Sequence, residues 1–514
     1  MSWDEEVREI ERRRRLAKGM GGSAALERQR ANGRLNVRER IDTLLDAQSF
    51  REHGPSAGVS EPDGGFTPAN YVLGFGRIDG RLCVVGGEDF TVRGGSPNPA
   101  GLRKSVYAEE LAVHYRVPLV RLHEGGGGSV TGAAGKGASG PVGEPVNHRP
   151  RFRSVAEALA TVPVASAALG PVAGLPAARL VASHFAVMTR ETAQILIAGP
   201  SVVERALGAT IGKEDLGGAE VHGRNGTVDA VAEDEADALL QIRRFLSYLP
   251  QNVWELTPRI ACDDPAERRE EYLLRAVPRD RRQAFDMRKI LAAVLDRASF
   301  FEVGRGYGPG QITGLGRLAG RAVGVLGNDC RFYAGAMTAA GARKVRRLIE
   351  LCDTFHLPVL SFVDEPGFMI GAEAEAEATI RFGTAAVLAA AECTAPWATV
   401  MVRKAYGVAQ AAHFGPDAYV LAWPSVESGA LPVEGGVAVA FGREIAKAAD
   451  PEARRAELER EMSARLSPFP RDESFAVHAV IDPRETRPML AEWLEWSEGV
   501  LAGLKGPRRF GYRP

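Results

Sequence analysis

Most signatures of the common enzyme classes are missing from this chain. Its five cysteines, Cys83, Cys262, Cys330, Cys352 and Cys393, lie far apart and form no CxxC pair. That spacing argues against a zinc ribbon and a disulfide framework, and it fits reduced thiols in a cytoplasmic setting. The nine histidines form no HExxH, and neither GxxxxGKS/T nor GxSxG occurs. The zincin, P-loop and serine-hydrolase chemistries that need those spacings are therefore not indicated. No GxGxxG with a downstream acid follows a first strand, which disfavours a dinucleotide site. An excess of one charge is missing too. With 64 basic and 65 acidic residues, net charge −1, bulk electrostatics favour neither nucleic acid nor an anionic membrane. The opening MSWDEEVREIERRRR has no apolar centre and is no secretory signal. The most apolar long stretch, 383–402, is broken by Glu392 and Pro396; it reads as a buried helix running into a strand, not a membrane span.

What is present is a soluble globular composition, 45% hydrophobic and 25% charged, over 514 residues, more than one core accommodates. Those residues repeat. RERIDTLLDAQSFREHG (38–54) matches MRKILAAVLDRASFFEVG (287–304) at an offset of 250. VLGFGRIDGRLCVV (72–85) matches ITGLGRLAGRAVGV (312–325) at an offset of 240. Each of the second pair alternates apolar residues about Asp79-Gly80 or Ala319-Gly320, the pattern of a β-hairpin. AGLRK (100–104) and AGARK (340–344) each open an amphipathic helix that leads to Pro118 or Pro358. PVASAALGPVAGLPA (163–177) resembles PWATVMVRKAYGVAQA (396–411). Each half is thus a series of β-β-α units in the same order, joined near SYLPQN (247–252) and the charged stretch 262–282. Residues 3–31 read as one charged helix with a thin stripe of Val7, Ile10 and Leu16 for packing on a neighbour. Residues 449–469 read as a charged helical segment, 487–504 as a docking helix, and 132–146 as a mobile loop over the first cleft.

After each proline comes a strand ending in a glycine turn: PLVRLHEGGGG (118–128) and PVLSFVDEPGFMIG (358–371). Such strand–turn–helix corners leave backbone N–H groups free to hold an oxyanion, assisted by the helix N-terminus. Alone, glycines of this kind more often serve tight packing. Two such corners in each half favour the oxyanion reading. Asp364 and Glu124 end their strands at matched positions, where turn caps and site residues are both open. His123 and His413 border the two clefts and read as structural.

The segments EDFTVRGGS (88–96), DLGGAEVH (215–222), LSYLPQN (246–252), FVDEPGF (362–368), RKAYGVAQ (403–410) and AWPS (422–425) carry a resemblance. Nearly the whole chain, from GRLNVRERIDTLLD (33–46) to VIDPRETRPML (480–490), resembles the carboxyltransferase (β) subunit of biotin-dependent acyl-CoA carboxylases of the propionyl-CoA and methylcrotonyl-CoA type. The resemblance implies an α/β fold of two tandem crotonase-like domains (ClpP/crotonase, β-β-α superhelix), with residues 1–255 on the acyl-CoA side and 256–514 on the biotin side. It implies transfer of a carboxyl group from carboxybiotin to the α or vinylogous carbon of an acyl-CoA. The biotin would be carried covalently by a partner biotin carboxylase/biotin carboxyl carrier (α) subunit, because this chain has neither an ATP-grasp segment nor a Met-Lys-Met motif. It implies a cytoplasmic homo-hexamer, a trimer of dimers, with each site shared between the first half of one chain and the second half of another. No metal is expected.

By the same resemblance the biotin-side oxyanion hole falls at Gly407, Val408 and Ala409, flanked by Gly367, Phe368, Gly371 and Tyr406. The acyl-side hole falls at Gly174, Leu175 and Pro176, where the family usually has Gly-Gly-Ala; Pro176 has no N–H to donate. The family's Asp-Ser-Gly-Gly-Ala-Arg turn is here Glu124-Gly125-Gly126-Gly127-Gly128-Ser129, so Gly127 and Gly128 become candidate donors. Ala411 stands where the family selects its acyl chain, and helix packing accounts for it equally. Arg93, Arg103 and Lys104 could meet CoA phosphates or simply be a solvated helix start. Three rivals remain open. One is a biotin-dependent decarboxylase or transcarboxylase of the same fold. Another is a biotin-independent crotonase-like hydratase or hydrolase using Glu124 as base. The third is a non-catalytic acyl-CoA-binding scaffold, motivated by Pro176.

Overall fold

The structure, a computed structural model, describes residues 2–62, 64–127, 151–464, 467–508 and 512. The segment 132–146, expected as a loop over the first cleft, lies outside them. The described chain divides into two compact units, 1–255 with 506–514, and 256–505. The expected second half ran to Pro514. Instead the Gly506 N–H donates to the Val253 carbonyl at 2.8 Å, and Tyr512 packs its ring 4.5 Å from that of His184 in the first unit.

Each unit is built on one mixed sheet, and the two sheets repeat strand for strand among the described residues. In the first the order is Arg51–Glu52, Tyr71–Ile78, Arg81–Glu88, Leu119–Gly125, Val164–Ala173, Phe185–Thr189, Ala230–Ala232, with Gln194–Leu196 beside the end of Val164–Ala173. In the second it is Phe301–Val303, Gln311–Leu318, Arg321–Asn328, Val359–Glu365, Trp397–Tyr406, Tyr419–Ala422, Ala479–Val480, with Glu427–Gly429 beside Trp397–Tyr406. The expected hairpins open each sheet antiparallel. Their turns have positive φ at both central residues, Asp79 51° and Gly80 78°, Ala319 50° and Gly320 78°, matching the right-handed twist of the strands. The later strands are parallel, and Leu119–Gly125 and Val359–Glu365 are buried at every position, as sheets covered on both faces require.

The helices after the hairpins start alike. Asn98 caps Pro99–Tyr115 by accepting from the Gly101 N–H, and Thr338 caps Ala339–Thr354 by accepting from that of Gly341. Pro118 and Pro358 then lend only their carbonyls, to Val84 and Gly324. Stretch 383–402 is a helix, Thr379–Glu392, followed by the strand Trp397–Tyr406, and no helix of the described chain is long and apolar enough to cross a membrane. The single charged helix expected at 3–31 is two, Asp4–Lys18 and Ser23–Ala31. They break at Gly21, where any Cβ would lie 2.0 Å from the Thr91 carbonyl oxygen. Val7, Ile10 and Leu16 are exposed rather than packed.

Candidate active site

In the first unit the glycine corners meet. The Gly126 N–H donates to the Gly94 carbonyl at 3.0 Å, pinning the Arg93–Gly95 turn onto the end of the Leu119–Gly125 strand. One residue on, Gly127 lies against Gly174, so closely that a Cβ on Gly174 would sit 2.8 Å from the Gly127 Cα. Gly174 has φ 65° and ψ −130°, the mirror image of extended backbone, which glycine alone adopts readily. That torsion ends the Val164–Ala173 strand and starts the helix Leu175–Val181. The Leu175 N–H, first in that helix, makes no hydrogen bond among the described residues. Pro176 occupies the first helical turn, where a missing N–H is tolerated. The turn is therefore sound as backbone, with Gly127 packed against Gly174 and the Leu175 amide next in the chain. Gly128 lies outside the described residues.

Arg93, in the left-handed region at φ 54°, and Arg103 are both exposed. Lys104 departs from expectation. Its ammonium donates to the Gly54 carbonyl at 3.3 Å and lies 3.9 Å from Glu52. Burial pulls its pKa down to about 8. Its partners are within the fold, so a CoA phosphate is not what it faces. Lys344, its duplicate, is held the same way, on the carbonyls of Gly304 and Tyr307 at 2.9 and 2.7 Å.

Glu124 is not a base. It is fully buried between Arg34 at 2.7 Å, Arg40 at 2.6 Å and the Gln29 amide at 2.6 Å. Its counterpart Asp364 takes a two-pronged grip from Arg403, at 3.0 and 2.8 Å, and accepts from the Lys404 N–H at 3.0 Å. Both acids anchor strand ends, which removes the residue on which a lone-chain hydratase was premised. His123 faces Glu88 at 3.1 Å and His413 meets the Ser361 hydroxyl at 2.9 Å; both are buried.

In the second unit Gly407 has φ 62° and turns the chain from the Trp397–Tyr406 strand into a short 3-10 helix, Ala409–His413. Its N–H was an expected donor to an oxyanion. Instead it donates to the Gly429 carbonyl at 3.1 Å, because Glu427–Gly429 pairs with Lys404, Ala405 and Tyr406. The remaining donors are the N–H groups of Val408 and Ala409, which have no acceptor among the described residues. The Val408 side chain is exposed while Ala409 is buried. Ala411 is half-buried on the same turn.

After the adjacent strand, Val359–Glu365, come Gly367, φ 130°, and Gly371, φ 111°. Met337 and Phe368 form a parallel bridge in which the Met337 N–H donates to the Gly367 carbonyl at 3.1 Å. The Phe368 ring lies over Gly383, where a Cβ would be 2.3 Å away. Tyr406 is buried, and its hydroxyl donates to Glu427 at 3.3 Å, so it braces the corner from behind. Arg281 completes that brace, pairing with Glu427 at 2.9 Å and Glu434 at 3.2 Å. Sequence reasoning missed Arg281, Glu427 and Met337; the partners stand about 150 residues apart (281 to 427) and no local spacing ties them.

Two duplicated corners, each with unbonded amide groups and, among the described residues, no side-chain base assigned beside them, suit a reaction that needs oxygen atoms held rather than protons removed by the protein. Residues 28–499 match the carboxyl transferase domain, and the chain belongs to that family, with two crotonase-like domains. Among curated relatives it is similar to the carboxyltransferase subunit of propionyl-CoA carboxylase from Haloferax mediterranei, 34% identical over 502 residues, covering 95% of each chain. It is 32% identical to the mitochondrial propionyl-CoA carboxylase beta chain of Homo sapiens, covering 97% of this chain and 91% of the other. It is 31% identical to the methylmalonyl-CoA decarboxylase subunit alpha of Veillonella parvula, covering 97% and 96%. Among solved structures it is similar to the transcarboxylase 12S core, a hexamer assembly with methylmalonyl-CoA and methylmalonic acid bound. The TM-score is 0.87 at 30% identity, over 100% of this chain and 97% of that one.

Proposed function

We propose that this chain is the carboxyltransferase subunit of a biotin-dependent acyl-CoA carboxylase, transferring a carboxyl group to the α or vinylogous carbon of an acyl-CoA. The observation that carries the reading is the pair of amide corners. Gly127 and Leu175 would hold the thioester oxygen as negative charge develops on it, and Val408 and Ala409 would hold the ureido oxygen of biotin. Preorganised backbone donors of this kind lower a barrier without reorganising; losing one typically slows catalysis about 10²–10³-fold. Biotin, loaded on a partner chain, supplies the carboxyl group and the basic nitrogen. The fit to it rests on the two unbonded N–H groups after Gly407 and on Phe368, held flat over Gly383. This chain's own work is to orient the two substrates and keep water out. Exposed Arg93 and Arg103 would meet CoA phosphates, and Ala411 would leave room for an acyl chain longer than acetyl. The first unit is assigned to acyl-CoA and the second to biotin, with complete sites shared between chains of a hexamer.

The test is reconstitution. With a biotinylated carboxylase/carrier subunit, ATP, bicarbonate and a panel of acyl-CoAs, the chain carboxylates at least one; intact assembly without any carboxylation refutes the reading. A second direction, decarboxylation or transcarboxylation, is favoured by the likeness to the Veillonella decarboxylase subunit. It would show as assembly with a membrane pump partner in place of an ATP-using carboxylase subunit.

A further inference from the structure

Beneath the acyl-side corner the two units part company. In the first, Glu88, Glu109, Arg121 and Arg179 are buried together. Arg121 and Arg179 both reach Glu109, at 3.1 and 3.0 Å, and Arg179 also donates to the Ser105 hydroxyl at 2.8 Å. At the equivalent positions, 240 residues on for the first three and 233 on after the Gly174/Gly407 turns, the second unit has Asn328, Ile349, Ser361 and Ala412. A charged floor has thus been built under one corner only. It opens on a narrow cleft lined by Tyr71, Glu88, Ser105, Leu175, Pro176 and Arg179, enclosing about 10 Å³, room for one water-sized group.

Two features of the cleft call for a ligand. Arg179 is 96% buried (4% exposed), and its Nη2 has no hydrogen-bond partner among the described residues. An orphaned buried guanidinium donor is costly unless something accepts from it. Across the cleft, Glu88 is pinned by His123 at 3.1 Å. Burial alone would raise its carboxyl, yet His123 and Arg179 hold it below the usual carboxylate range, as an acceptor. One donor, one acceptor and room for a single oxygen describe a hydroxyl group.

We propose that this cleft is a subsite for a hydroxyl group of the acyl-CoA, on its acyl chain or its pantetheine arm, which accepts from Arg179 and donates to Glu88. The proposal rests on the carboxyltransferase reading. It makes Arg179 and Glu88 specificity determinants beside Leu175, whose N–H holds the thioester oxygen.

The experiment is calorimetric titration of the full-length chain with propionyl-CoA, 2-hydroxypropionyl-CoA, 3-hydroxypropionyl-CoA and free CoA. If the acyl chain carries the hydroxyl, one hydroxyacyl thioester binds about tenfold or more tightly than propionyl-CoA. In Arg179→Leu that preference shrinks to within about twofold, and Arg179→Lys restores part of it. Glu88→Gln, which keeps the volume and leaves the Glu109 pairs intact, reports even if Arg179→Leu fails to fold; it also reduces the preference. If instead both variants weaken every thioester and free CoA alike, the hydroxyl is that of the pantetheine arm. Hydroxyacyl thioesters binding no better than propionyl-CoA, with unchanged affinities in Glu88→Gln and the folded Arg179 variants, overturn the subsite. Binding of no CoA compound at all to the folded wild-type chain overturns the carboxyltransferase reading and the subsite with it.

Discussion

Replacing Gly174 by alanine separates the two roles its backbone plays. At φ 65° and ψ −130° an alanine sits in a region nearly reserved for glycine, at about 1–3 kcal/mol. The second effect is steric. The new Cβ would lie 2.8 Å from the Gly127 Cα, against the roughly 3.5–4.0 Å of ordinary carbon contacts. One of the two corners must therefore retreat by about 1 Å, which carries the Gly127 and Leu175 amides apart. A shift of that size typically costs about 10²-fold in rate. Gly407 provides the internal control. It also has positive φ, 62°, yet a Cβ there meets only the Ala430 carbonyl oxygen at 3.5 Å. Gly407→Ala should lose about 1–2 kcal/mol of stability and less than about tenfold in rate. Urea unfolding gives the stabilities, and free-biotin-stimulated decarboxylation of methylmalonyl-CoA gives the rates. Wild-type turnover in folded Gly174→Ala, or an equal loss in both variants, would refute the assignment of the first corner.

Glu124→Gln should lower stability by about 3–5 kcal/mol, since Arg34 and Arg40 lose a buried carboxylate, while turnover per folded molecule stays near wild type; an unchanged urea midpoint contradicts this. Arg281→Met removes one of the two groups holding Glu427 and should cost about 1–3 kcal/mol. By loosening Glu427–Gly429 it should lower kcat and leave the KM for acyl-CoA in place; a change in KM alone would show that Arg281 acts elsewhere. Burial lowers the pKa of the Lys344 ammonium to about 7, from the 10.5 of an ordinary lysine. Between those values the unfolded chain holds a proton that the folded chain lacks, so stability rises with pH from 7 toward 10 and is flat with respect to this group below 7. Denaturation at pH 7 and pH 9 should show a shallower rise in Lys344→Met, and an identical slope would dismiss the buried lysine as its source.

The duplication made much of the architecture legible. Alternating residues about Asp79-Gly80 and Ala319-Gly320 marked both hairpins, and the two prolines marked the entry to the central strands, because these signals are local in sequence. The glycine corners were legible for the same reason. What was hidden depends on where remote segments return. Gly407 offered three candidate amides with its neighbours, and only the arrival of Glu427–Gly429 shows that one of them is engaged. Lys104 looked like a surface cation until Gly54 and Glu52 closed over it. Arg121 and Arg179 sit inside otherwise apolar runs, and nothing short of the folded sheet brings them to Glu109. The residues Val7 and Ile10 do lie on a helix, Asp4–Lys18, but both are exposed, because periodicity alone does not supply a surface to pack against.

The hydrogen bond from Gly506 to Val253 gives the two units unequal standing in the chain. The first is discontinuous in sequence, and the second is, in topological terms, a long insertion whose two ends leave the first at one point. Closing so large a loop costs little more than closing one half as long, about 0.6 kcal/mol for the doubling. The contact is therefore tolerable however the insertion grows or shrinks. Changes at Gly506 or Tyr512 would be felt in the first unit, although both residues follow the second in sequence.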